Sequence, residues 1–220
     1  MSCIAAAFYF DLASPLAYLA AERVLHVLPG PAEWQPVLAR ELSGAETFDA
    51  FRCREEQDVF RAEVARRARE LDLQPLRWPE PFPFDSALAM RVATYAKSIG
   101  RAVPFAQAAF RQAFAGGHAL EDPDYVLIAA AACEMHPAAV LRGASMHSVA
   151  EQLAATTAAA SAAGVTDVPA IVLGGADART GEPGADQRAR VFLGERAVEE
   201  AAAQMGGERA PGSRAGATPR

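Results

Sequence analysis

The chain has 220 residues, of which 51% are hydrophobic, so it is long enough to form one compact body or one domain with a sizeable insertion. Its formal net charge of −6 argues against nucleic acid as a partner, because binding to phosphates requires a basic face. No apolar stretch reaches the roughly 18 to 20 residues of a membrane span, so we expect no membrane partner.

The cysteines and histidines do not form a recognisable reactive or metal-binding pattern. Cys3, Cys53 and Cys133 are far apart and odd in number, which indicates free thiols and a cytoplasmic location. The four histidines show no spacing typical of metal ligands. We therefore expect neither a metal site nor a disulfide framework.

The first forty residues predict a strand, a helix and a second strand. Ile4 to Phe10 is apolar and β-rich, which is typical of a central strand buried on both faces. Ser14 can cap the next helix, and Pro15 fits its first turn. Residues 33–39 read as a second strand, in which Pro36 indicates an edge position or a bulge.

The next hundred residues are helical in pattern. Asp85 or Ser86 is expected to cap one helix, Pro104 to start another, and Asp122 to cap a third, with a short helical turn near residues 137–143. Another helical segment, over about residues 48–71, precedes these three helices and is dominated by charged residues. Its arginines indicate a solvated face or contact with a ligand carboxylate. Its predicted apolar stripe consists of Phe48, Phe51, Val59, Phe60, Val64, Ala68 and Leu71, and its arginines include Arg52, Arg54, Arg61, Arg66 and Arg67.

The C-terminal part predicts a helix, a β-hairpin and a last helix. Residues 146–163 form a long Ala-rich helix, and a β-branched run with Pro169 at its start follows. Residues 190–193 are the expected partner strand, with a mobile loop between Gly174 and Ala189. Glu195 to Gln204 forms the last helix, and residues 207–220 are expected to be a disordered tail.

The junction between the first strand and the first helix raises a chemical question. Thiol–disulfide proteins often carry Cys-x-x-Cys there, whereas this chain has Ser14, Pro15, Leu16 and Ala17. One interpretation is that Ser14 is an ordinary helix N-cap. The other uses the same geometry, because a helix N-terminus favours an anion and a serine hydroxyl can donate a hydrogen bond to a bound thiolate.

Three segments resemble a known family: FYFDLASPLAYLA, PFPFDSALAMR and GVTDVPAIVL. They are similar, in this order, to 2-hydroxychromene-2-carboxylate isomerases and the related kappa-class glutathione transferases. The resemblance covers about residues 4–206. It implies an α/β, thioredoxin-like fold with an all-α insertion, as in DsbA-like proteins. The thioredoxin-like domain would comprise residues 1–43 and 145–206, and the insertion residues 44–144.

The resemblance also implies roles for particular residues. Ser14 would hold the sulfur of glutathione, and a cis Val168-Pro169 bond would turn the Val168 backbone outward to pair with this peptide; the alternative is a proline that begins an edge strand. Asp11, the acid of the first segment, and Asp85, where the family commonly has Asn, would face the substrate. Glu195 would anchor the γ-glutamyl amine, unless it is simply an acid favoured by the start of the last helix.

The function implied by the resemblance is a glutathione-dependent isomerase, in which a Ser-activated thiol adds reversibly to a small aromatic substrate. The family also implies a homodimer. Two alternatives remain open at this point: a kappa-class-like transferase that conjugates electrophiles, and a non-catalytic thioredoxin-fold protein that binds a peptide along the Val168-Pro169 edge. Glutathione could in either enzyme be replaced by another low-molecular-weight thiol.

Overall fold

A computed structural model of the chain describes residues 5–44, 53–174 and 189–207. Strands and helices in these ranges follow the order that the sequence predicts. They are β1 (Ala6–Phe10), α1 (Pro15–Val27), β2 (Ala32–Pro36), α2 (Arg54–Glu70), α3 (Ala87–Ser98), α4 (Ala102–Phe114), α5 (Pro123–Ala131), α6 (Pro137–Ser145), α7 (His147–Ala162), β3 (Ala170–Leu173), β4 (Arg190–Leu193) and α8 (Ala197–Gly207).

The strands form a mixed sheet in the order β2-β1-β3-β4. β1 is parallel to β2 and antiparallel to β3, and β3 is antiparallel to β4. The predicted strand–helix–strand unit and C-terminal hairpin are therefore both confirmed, as is the α/β class. β1 lies inside the sheet between β2 and β3, in agreement with its apolar sequence.

Alternating side chains place two apolar layers on the two faces of the sheet. Phe8 and Phe10 of β1 belong to the larger core, together with Trp34 and with residues of α1, α3 and α4. Tyr9 of the same strand packs against the smaller core on the opposite face, to which α7 contributes Ala160. The period of two along β1 therefore fixes which helices cover which face.

The second strand is shorter than the sequence predicts. It ends at Pro36, which pairs with Phe10, and Ala39–Glu41 forms a 3-10 turn instead of continuing the strand. The Leu38 N–H turns away to donate to Thr157 Oγ1 of α7 at 3.1 Å, which ends the ladder. The edge position that Pro36 indicates is confirmed, because β2 is the first strand of the sheet.

The helical middle differs from the prediction in detail. Val59 is 71% exposed, so its place in the apolar stripe of α2 is wrong. Phe60, Val64 and Ala68 are four residues apart and share one face, whereas Val59 lies about 100° around the helix from Phe60. Phe48 and Phe51 of the predicted stripe lie outside the described residues.

Other boundaries shift by one or two residues or lengthen. α4 starts at Ala102, so that Pro104 lies in its first turn rather than at its start. The predicted turn near 137–143 is a helix of nine residues, α6.

Most of the predicted mobile loop and the tail from residue 208 lie outside the described residues. The division into two domains stays a prediction. None of the helices in the described ranges is long and apolar enough to cross a membrane.

Gly143 of α6 allows this helix to pack closely on α3. A Cβ added at Gly143 would lie 2.4 Å from ring carbon Cδ2 of Tyr95. We predict that Gly143→Ala lowers the free energy of unfolding by about 1–3 kcal/mol, because the clash outweighs the better helix propensity of alanine. Gly206→Ala in α8 is the matched control, since nothing lies within 4 Å of its added Cβ. Urea unfolding curves measure both, and a stabilising Gly143→Ala would refute this packing.

Candidate active site

One end of the sheet collects the residues that the sequence singles out. Tyr9 of β1 lies opposite Ala170 of β3, so the register places Val168-Pro169 beside the end of β1. Ala170 also pairs with Leu193 of β4, and the Gly194 N–H donates to the Pro169 carbonyl at 2.9 Å. The residues after β1, before β3 and after β4 therefore meet at this end.

Asp11 is the buried carboxylate at this end, with an exposed fraction of 1%. Its Oδ1 accepts the Ala13 N–H and its Oδ2 accepts the Ala39 N–H, both at 2.9 Å. The Ser86 side chain also hydrogen-bonds to it. Asp11 thus joins the start of α1, the turn after β2 and the start of α3.

The surroundings of Asp11 act on its pKa in opposite directions. Burial raises the pKa of Asp11 because the charged form loses its hydration. The N–H groups of Ala13 and Ala39, the Ser86 side chain and the Arg40 guanidinium oppose this increase without cancelling it. Contact of Asp11 with a substrate stays a prediction. The bonds that its carboxylate makes to protein donors position the loop that carries Ser14.

Ser14 is the N-cap of α1 and is 3% exposed. Its Oγ accepts the Ala17 N–H at 3.1 Å, and its own N–H donates to the Asp11 carbonyl at 3.0 Å. The N-cap interpretation is therefore confirmed. The hydroxyl proton is left over, since Ser14 Oγ donates to no acceptor among the described residues, and a buried hydroxyl normally finds one.

The backbone donors around Ser14 can be counted in full. Leu12 donates to the sulfur of Met90, and Ala13 and Ser14 donate to Asp11. The N–H groups of Ala17 and Tyr18 donate to the side chain and carbonyl of Ser14, and Pro15 has no N–H. Within the described part of the chain this leaves the Leu16 N–H without an acceptor. The start of α1 therefore offers two donors, the Ser14 hydroxyl and the Leu16 N–H, at the positive end of the helix.

The Val168-Pro169 peptide bond is cis. Val168 is buried, and its N–H donates to the Oδ1 of Asp167 at 2.7 Å. The N–H of Val168, which the resemblance implies would pair with a peptide, is already bonded to the preceding side chain. Burial raises the pKa of Asp167, while the bond from Val168 opposes this increase.

Asp85 lies on the exposed side of the same region. Its Oδ1 accepts the Ala87 N–H at 2.8 Å, so it supplies the side-chain cap of α3, although Ser86 occupies the N-cap position. Asp85 also pairs with Arg40, which follows β2. The Ala87 N–H and then Arg40 hold the pKa of Asp85 below its usual range.

Glu195 lies in the turn between β4 and α8, with a side chain that is 42% exposed. Its Oε2 is 4.0 Å from Nε of Arg67 on α2. Arg67 also pairs with Glu199 of α8, which in turn binds Arg23 of α1 at 2.7 Å. Glu195 is therefore on the rim of this end of the sheet, held near a cation.

Sequence reasoning missed several residues of this region. Asp167 stands directly before Val168-Pro169, and an acid at that position is a signal that a local inspection can find. Arg40 and Ser86 could not be found in this way, because each is joined to its acidic partner only by the fold. The described residues contain no group of side chains suited to a metal ion.

Comparisons with known proteins identify the family. The sequence matches the DSBA-like thioredoxin domain over residues 6–192, and the chain belongs to this family. The thioredoxin-like fold expected from the resemblance is thereby confirmed. A comparison with curated proteins found no match.

Solved structures share the fold at low sequence identity. A 2-hydroxychromene-2-carboxylate isomerase superimposes with a TM-score of 0.75 and 16% identity, covering 93% of this chain and 95% of its own. A probable DsbA oxidoreductase from Streptomyces coelicolor gives 0.67 and 19%, covering 99% of this chain and 100% of its own. The cytosolic disulfide reductase DsbM from Pseudomonas aeruginosa, solved with GSH, gives 0.58 and 12%, covering 93% and 97%.

The bonds to Asp11 predict a large effect of its removal. Asp11→Ala leaves the N–H groups of Ala13 and Ala39 without acceptors in the protein interior, so we expect the free energy of unfolding to fall by about 2–4 kcal/mol. Asp122→Ala is the control, because Asp122 accepts one N–H at an exposed helix start, and its loss should cost about 1 kcal/mol. Chemical denaturation measures both free energies of unfolding. Equal losses for the two changes would contradict the role of Asp11 in joining α1, the turn after β2 and α3.

Proposed function

We propose that this chain is a glutathione-dependent isomerase of the 2-hydroxychromene-2-carboxylate isomerase type, acting on a small aromatic substrate. The observation that carries the proposal is the pair of unused donors at the start of α1, the Ser14 hydroxyl and the Leu16 N–H. They stand where a thiol–disulfide protein would carry its reactive cysteine, and positions 14 to 17 of this chain contain no cysteine.

The donors at the helix start fit a thiolate. A hydroxyl and a backbone N–H at the positive end of a helix both favour an anion over its conjugate acid. Because Ser14 is nearly buried, an atom held at its hydroxyl is shielded from water, which strengthens the hydrogen bond. A free thiol has a pKa of about 8.5, and such surroundings lower it.

Serine also determines which chemistry is accessible. A cysteine at position 14 would attack disulfides itself, whereas a serine hydroxyl does not ionise near neutral pH and cannot do so. Glutathione, when bound, supplies the thiol that adds to the conjugated substrate and is released again. Recovery of unconsumed glutathione alongside an isomerised product distinguishes this reaction from conjugation by a transferase.

The remaining residues of the region would hold the peptide part of the thiol. The Val168 backbone would pair with it as with an added strand, after Asp167 releases the N–H. Glu195 on the rim would accept the γ-glutamyl amine. Asp85, exposed and paired with Arg40, would border the substrate. Asp11 would position the loop that carries Ser14. Asp167 would compete with the bound peptide for the Val168 N–H.

The role of Ser14 is tested by the ultraviolet absorbance of thiolate in a pH titration with glutathione. We expect the bound thiol to ionise below the pKa of about 8.5 of free thiol, and Ser14→Ala to raise this pKa by about one to two, because one charge-assisted hydrogen bond is lost. Ser98→Ala is the control, since its hydroxyl donates to the Tyr95 carbonyl far along α3. The same pKa in wild type and Ser14→Ala would sink the proposed role.

Removal of the Asp167 carboxylate is expected to strengthen the binding of glutathione. Asp167→Ala frees the Val168 N–H for the peptide carbonyl, so we expect glutathione to bind about two- to ten-fold more tightly. Asp167→Asn keeps an acceptor oxygen and should give a smaller gain. Calorimetric titration measures the affinities, with the exposed Asp124→Ala as control. Weaker binding by Asp167→Ala would mean that the carboxylate contacts the ligand rather than competing with it.

A further inference from the structure

The guanidinium of Arg61 on α2 lies over two aromatic rings. Its Cζ lies 5.3 Å from the ring centroid of Trp78 and 5.7 Å from that of Phe82. Phe60 also packs on Trp78, with ring centroids 6.2 Å apart. The segment that carries Phe82 is joined to α2, because Gln57 Nε2 donates to the Phe82 carbonyl at 2.8 Å. Contacts of this kind attract the guanidinium to the ring faces and limit its freedom to move.

The guanidinium of Arg61 has no anionic partner in the described part of the chain. Its Nε is buried and makes no hydrogen bond. Several other described arginines pair with carboxylates, among them Arg66 and Arg67 on the same helix. Arg69, also on α2, pairs with no acid of the described ranges but is exposed to water, whereas Arg61 is partly buried. Removing a guanidinium from water without a partner is unfavourable, so the position favours an anion supplied from outside.

Ring contacts connect this position to the helix that carries Ser14. Phe82 lies 6.5 Å from Phe114, and Phe114 stacks on Tyr18 of α1 at 5.7 Å. The Tyr18 N–H donates to the Ser14 carbonyl, so Tyr18 is one turn from the candidate thiol site. A series of packed rings, of which Phe114 and Tyr18 are buried, therefore joins the start of α1 to Arg61.

We propose that Arg61, Phe60, Trp78 and Phe82 form a binding site for an aromatic carboxylate. A guanidinium presents parallel N–H donors that match the two oxygens of a carboxylate, and the adjacent rings provide an apolar surface for the ligand's ring. The binding site is argued from this geometry alone. That it binds the substrate of the isomerase rests on the proposed function, and in that case Arg61 would select substrates that carry a carboxylate.

The test is calorimetric titration with trans-cinnamate and with cinnamyl alcohol, which has the same ring and no charge. We expect wild type to bind trans-cinnamate at least about ten-fold more tightly than the alcohol. Arg61→Gln should lose at least about ten-fold in affinity for trans-cinnamate, and Arg69→Gln should lose none. Equal affinity for acid and alcohol, unchanged binding by Arg61→Gln, or no binding of trans-cinnamate would each overturn the site.

Two further readouts keep the result interpretable. A thermal melt shows whether Arg61→Gln is folded, and if it is not, the comparison of acid and alcohol on wild type decides. The thiolate titration of Arg61→Gln separates this inference from the proposed function. An unchanged thiolate signal with lost trans-cinnamate affinity supports both, whereas thiolate formation in wild type without selective binding of trans-cinnamate refutes only the carboxylate site. Selective binding without thiolate formation refutes only the proposed function.

Discussion

The structure depends on how the buried carboxylate of Asp11 is satisfied. It accepts N–H groups from the start of α1 and from the turn after β2, and it bonds to Ser86 at the start of α3. A carboxylate at 1% exposure is tolerated only if such donors surround it. The segments that supply them are thereby fixed relative to one another, and they include the loop that presents Ser14.

The unused donors at the start of α1 follow from this arrangement. Asp11 accepts the N–H groups of Ala13 and Ser14, and Ser14 accepts those of Ala17 and Tyr18. Among the described residues this leaves the Ser14 hydroxyl and the Leu16 N–H without acceptors. These donors are suited to an anion but cannot perform disulfide exchange. The proposed chemistry therefore needs a thiol that a ligand supplies, because positions 14 to 17 contain no cysteine. Under the proposed function, Asp167 would have to release the Val168 N–H before a peptide thiol could pair with it.

Local patterns in the sequence predict most of the fold, and long-range contacts account for what they miss. The apolar run of β1, the Ser14-Pro15 start of α1 and the Asp122 cap of α5 each act over a few residues, and the structure contains all three. The end of β2 at Pro36 depends on a hydrogen bond from Leu38 to Thr157, which lies 119 residues away. The buried setting of Asp11 and the position of Arg61 over Trp78 and Phe82 likewise arise from other segments, so no local pattern could reveal them.

A crystal structure of the protein with bound glutathione is the most direct test of the account. The central claim is that Ser14 and the start of α1 hold a thiolate. The account predicts the glutathione sulfur within hydrogen-bonding distance of Ser14 Oγ and facing the Leu16 N–H, with the peptide along Val168 and the Asp167 side chain moved away from it. A sulfur bound elsewhere, with the Ser14 hydroxyl and Leu16 N–H still without an acceptor, would contradict it.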